Sequence, residues 1–99
     1  MIIYKQVLDF RSENMQTIEL PPVSEIISCD FQGENLCLWY SFSPVEGEIM
    51  EKRNILMLRT GESFTSHEGY IKFIGTAHDR GQLPFVIHLY EFFYYNGKP

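Results

Sequence analysis

Ser24-Glu25-Ile26-Ile27-Ser28-Cys29-Asp30-Phe31-Gln32-Gly33-Glu34-Asn35-Leu36-Cys37-Leu38-Trp39-Tyr40-Ser41-Phe42 is the stretch whose reading decides the fold. Two arms rich in β-branched, apolar and aromatic residues flank a polar loop containing one glycine, which is the signature of a β-hairpin. On the second arm Leu36, Leu38, Tyr40 and Phe42 share one face, and Cys37, Trp39 and Ser41 take the other, because strand side chains alternate. A clean apolar face next to a turn predicts a half-buried antiparallel pair.

The same reading extends in both directions. Toward the N-terminus, Tyr4 to Phe10 predicts a strand, and Arg11-Ser12-Glu13-Asn14 supplies its turn. Gln16 to Leu20 alternates polar and apolar residues until Pro21-Pro22, which cannot continue a ladder. Toward the C-terminus, Pro44 to Glu51 reads as a solvated loop separating two sheet-forming halves. Lys52 to Thr60 is apolar on both faces and so predicts a central strand. Gly61 to Gly69 is a polar connection, with room for one helical turn over Ser63 to Glu68. Asp79-Arg80-Gly81-Gln82 then joins Tyr70 to Ala77 with Phe85 to Tyr94 as a closing hairpin.

Strands at regular spacing, with no sustained helical stripe, predict an all-β fold. The expected form is a small antiparallel β-sandwich or barrel of about six to seven strands with at most one short helical turn. A chain of 99 residues supports one core, so residues 1–99 are read as a single domain, with 92–99 as an aromatic C-terminal extension. Aromatic residues at 15% favour strands and adhesive surfaces.

A formal charge of −5, with basic residues scattered along the chain, disfavours nucleic-acid binding, which draws its affinity from clustered cations. No apolar run approaches the roughly 18 residues of a membrane span. Met1 to Lys5 lacks the apolar core of a secretory signal, so a cytoplasmic location with two reduced cysteines, Cys29 and Cys37, is expected. His67, His78 and His88 match no ligand spacing with those cysteines, and neither a metal nor a cofactor is expected. No nucleophile elbow surrounds any serine, and the chain is read as a non-enzyme.

Five residues are candidates for a ligand site. His88 sits in the apolar strand Phe85-Val86-Ile87-His88-Leu89-Tyr90-Glu91, sharing a face with Val86 and Tyr90, where an unpaired imidazole would be costly. Arg59-Thr60-Gly61 puts a guanidinium and a hydroxyl at a strand end, and Arg53 offers a second cation. Trp39 reads as core packing with its N–H bonded to a carbonyl, or alternatively as a stacking platform for a planar ligand. Phe92, Phe93, Tyr94 and Tyr95 cannot all point inward along one strand, so an interface with another chain is expected there, either in a homo-oligomer or with a partner.

Taken together, Gln16-Thr17-Ile18-Glu19-Leu20-Pro21, Cys37-Leu38-Trp39, Thr60-Gly61, Tyr70-Ile71, Ile74-Gly75-Thr76 and Phe85 to Glu91 resemble, in the same order, a family of small uncharacterised phage and prophage proteins. The histidine that usually follows Thr-Gly in that pattern is here Glu62, so no catalytic role carries over to that position. The resemblance implies a setting, the cytoplasm of an infected bacterium, and no particular activity. In that setting the leading expectation is an accessory factor that sequesters a nucleotide-like signal or blocks a host protein. A small hydrolase of such a signal using His88, or an assembly component, are the alternatives.

Overall fold

The structure is a computed structural model, and it describes residues 1–81 and 86–97. Among the described residues seven strands form, β1 (Ile2–Leu8), β2 (Met15–Leu20), β3 (Glu25–Gln32), β4 (Asn35–Phe42), β5 (Glu51–Arg59), β6 (Gly69–His78) and β7 (Val86–Tyr94). They build an antiparallel β-sandwich of a three-stranded sheet, β1-β4-β3, and a four-stranded sheet, β2-β5-β7-β6. No helix occurs among the described residues, and Ser63 to Glu68 runs as irregular chain. Accordingly, no helix is long and apolar enough to cross a membrane.

The hairpin read from Ser24 to Phe42 is β3–β4, closed through Gln32↔Asn35 with Gly33 at φ +61°, a left-handed position where glycine carries no Cβ penalty. The closing hairpin is β6–β7, although Gln82 to Phe85 lie outside the described residues. The first turn behaves differently from a hairpin turn. It passes the chain from one sheet to the other, with β1 pairing β4 and β2 pairing β5. The carbonyl of Asn14 accepts the Met57 N–H, seating the incoming β2 against β5. As expected, β5 is an interior strand, and β7 lies beside it between β5 and β6.

Alternation decides what lies between the sheets. Leu8, Leu36 and Leu38 of one sheet meet Ile18, Leu20, Ile55, Met57, Ile87 and Leu89 of the other in a single core. Each of those side chains contributes about 1.5–3 kcal/mol by leaving water. The sheets approach most closely where β3 lies beside β6. There β6 carries a bulge between Phe73 and Gly75, and a Cβ on Gly75 would stand 3.0 Å from the Cys29 sulfur. A larger residue at 75 would hold the two strands apart.

Candidate functional site

On the inward face of β5, the row that carries Ile55 and Met57 also carries Arg53. On β7, the row of Ile87 and Leu89 continues to Glu91, which is 6% exposed. The two charges therefore meet inside the sandwich. The Arg53 Nε and a terminal nitrogen donate to the two carboxylate oxygens of Glu91, the latter bond at 2.8 Å, in a bidentate fork. The other terminal nitrogen donates to the Ser24 carbonyl at 2.9 Å. The bond to Glu91 holds the Arg53 pKa above its usual value against the opposing effect of burial, with the charges of Glu91 and Glu51 adding to it.

The Ser24 carbonyl is aimed at Arg53 by a strained turn. Ser24 returns both its N–H, at 3.2 Å, and its hydroxyl, at 2.5 Å, to the Pro21 carbonyl. This tight closure leaves Val23 at φ +58°, a left-handed conformation that a β-branched residue adopts only at a cost of about 1–3 kcal/mol. Burial of the Val23 side chain gives nothing back, since the residue is 89% exposed.

Turn and ion pair border one cavity of about 420 Å³, open at the end of the sandwich between β3 and β6. Ile26, Ile74 and Phe93 supply apolar wall, and Lys72 joins Arg53 and Glu91 in the polar lining. Lys72 pairs directly with Glu91 across the β6–β7 ladder, so a carboxylate lies between two cations on one face.

Of the five ligand candidates, Arg53 alone borders this cavity. Arg59 lies six residues along the same row of β5, roughly 20 Å away at the strand rise. It is engaged there, one terminal nitrogen donating to the Phe10 carbonyl at 3.4 Å and the other standing 3.7 Å from a Glu62 carboxylate oxygen. Thr60 and His88 do come together, but on the outward face of the second sheet. The Thr60 hydroxyl meets His88 Nε2 at 2.9 Å and the Thr76 hydroxyl meets Nδ1 at 3.1 Å, so hydroxyls satisfy both ring nitrogens. Trp39 is not core. It stands half-buried on the outward face of the first sheet, opposite Lys5, beside a shallow depression with Ile3, Ile27 and Asp30. The alternation that sends Leu38 and Tyr40 inward sends Trp39 out.

The aromatic run from Phe92 to Tyr95 divides between faces. Phe92 is buried, with Phe64 edge-on at 5.8 Å and Tyr94 at 4.8 Å, so it is spent within the chain rather than left in an exposed tail. Phe93 stacks on Tyr70 at 5.1 Å, and Tyr95, 70% exposed, leans on the same ring. Cys29 and Cys37 are free thiols on opposite faces of the hairpin, which excludes a bridge between them in this fold. Burial first, and then the Asp30 charge, pushes the Cys29 thiol up to about 11. Among the described residues, no three His, Cys, Asp or Glu side chains gather as metal ligands.

Reading single residues missed Ser24, Lys72 and Glu91. For Glu91 a signal was present, because alternation puts it in the row of Ile87 and Leu89, where a carboxylate needs a cation. No curated protein and no solved structure matches the chain. A family model does match, over residues 1–93, and it is described as a domain of unknown function, DUF7352. The chain belongs to that family.

Proposed function

We propose that this protein is a non-enzymatic binding protein whose site is the cavity between β3 and β6. One observation carries the reading: two costly features, a buried ion pair and a strained turn, converge on the same opening. A buried pair is weak as a source of stability, since apolar residues of the same volume often do as well. Strain in a backbone likewise persists where the surroundings hold it for a purpose. At about 420 Å³ the cavity falls within the range of small-molecule sites.

Binding is preferred over hydrolysis because His88, the candidate acid or base, is held by two threonine hydroxyls on the far face of the sheet from the cavity. With the setting implied by the sequence resemblance, sequestration of a small signal in the cytoplasm of a phage-infected bacterium is the role we assign to the site.

The test is amide NMR of the full chain against a fragment library of mixed charge. Shifts concentrated on Ser24 to Ile26, Lys72 to Ile74 and Phe93 are expected. Shifts confined to the Trp39 depression, or none at all, would overturn the assignment.

A further inference from the structure

We infer that the cavity takes a small amphipathic anion, a carboxylate or phosphate head carried on a flat or apolar body. The inference rests on the binding site proposed above and names its ligand class. Among the side chains that border the opening on the inward face, Arg53 of β5 and Lys72 of β6 are cationic and Glu91 of β7 lies between them. Glu25 also borders the opening, but it pairs with Ser41 on the outward-facing row of the first sheet, so alternation turns its carboxylate away. Glu51 precedes Arg53 on the same row of β5; it lies outside the lining, and its charge reaches Arg53 from beside the opening.

A chain with a formal charge of −5 thus sets two cationic side chains at one partly closed opening, where charge interactions are less screened than at the surface.

Donor geometry favours an anionic head. A guanidinium carries five N–H groups, and three of those on Arg53 serve Glu91 and Ser24. One N–H on each terminal nitrogen is left without a partner among the described residues. Glu91 and the Ser24 carbonyl fix the guanidinium plane in advance, so the remaining donors are held ready for a carboxylate or phosphate oxygen. The Lys72 ammonium, on a flexible stem at the opening, closes on the same head as a point charge. Ile26, Ile74 and the Phe93 ring leave an apolar wall for the body of the ligand.

The experiment compares three probes of similar size, phenyl phosphate, benzyl alcohol and benzylamine, by amide NMR titration of the full chain and of Lys72→Gln. Lys72 is exposed, so this substitution is expected to leave the fold intact, which the unshifted amides of the remaining strands would report. Phenyl phosphate is expected to shift Ser24 to Ile26, Lys72 to Ile74 and Phe93, and to bind more weakly as salt rises. Lys72→Gln is expected to weaken it about tenfold, the loss of one charge-assisted hydrogen bond. If the alcohol or the amine binds there as well as phenyl phosphate, or if Lys72→Gln changes nothing, the anionic class is wrong while the binding site stands. If none of the three probes moves those amides, both the class and the site fall.

Discussion

At the residue scale, the inward ion pair makes the sharpest prediction. Glu91→Ala strands the Arg53 guanidinium in a site where its side chain is 17% exposed, and is expected to cost about 3–5 kcal/mol in denaturant unfolding. Replacing both partners, as Arg53→Met with Glu91→Leu, is expected to restore stability to within about 1 kcal/mol of the parent or above it, while abolishing ligand-induced shifts at the opening. A double variant that stays as unstable as Glu91→Ala would make the pair structural. Val23 offers the converse test. Asn tolerates the left-handed region far better than a β-branched residue, so Val23→Asn is expected to raise stability by about 1 kcal/mol. Cys29 carries the pH dependence. Its folded pKa of about 11 lies above the unfolded value of roughly 8.5. Below both values the thiol is protonated in both states and contributes nothing; as pH rises between them, the unfolded chain alone loses the proton. Stability relative to Cys29→Ala is therefore expected to fall from about pH 9 upward, measured as paired urea titrations.

At the element scale, the two hairpins and the central position of β5 were legible in the sequence, because alternation and turn chemistry are local properties of a few adjacent residues. The passage of β1 and β2 into different sheets was not, since Arg11 to Asn14 reads as a turn whichever sheet receives the next strand. The C-terminal extension shrinks for a similar reason. Phe92 to Tyr94 complete β7, and the family match itself runs to residue 93. At the β6 end of that hairpin, a Cβ on Gly69 would lie 2.0 Å from the Phe93 carbonyl oxygen and 2.7 Å from the Phe92 ring. Backbone cannot yield as a flexible side chain does. Gly69→Ala is expected to destabilise by about 1–3 kcal/mol, through overpacking that forces the two strands apart, read from thermal unfolding with amide shifts centred on Phe92 and Phe93.

At the scale of the whole molecule, two sheets share one core within an envelope of 44 × 33 × 20 Å. A core shared in this way is expected to unfold as one unit. Trp39 reports the first sheet alone, and amide NMR at β6 and β7 reports the second. Coincident denaturant midpoints for the two probes are expected, and separated midpoints would show that the sheets open independently.

What the sequence determined by itself was the strand character of the chain, its all-β class, and, along strands without a bulge, the face on which each side chain would stand, Glu91 beside Leu89 and His88 beside Tyr90 included. These follow from the two-residue period of a strand, which is covalent geometry and needs no partner. Only the tertiary structure decided that Arg53 would find Glu91 across 38 positions of sequence and that the Pro21 to Ser24 turn would deliver a carbonyl to the same guanidinium. It also decided that Thr60 and Thr76 would occupy the two nitrogens of His88 and so separate that residue from the cavity. Register between distant strands is set by the packing of the whole core, and a pattern that is identical along each strand carries no record of which strand will lie beside it.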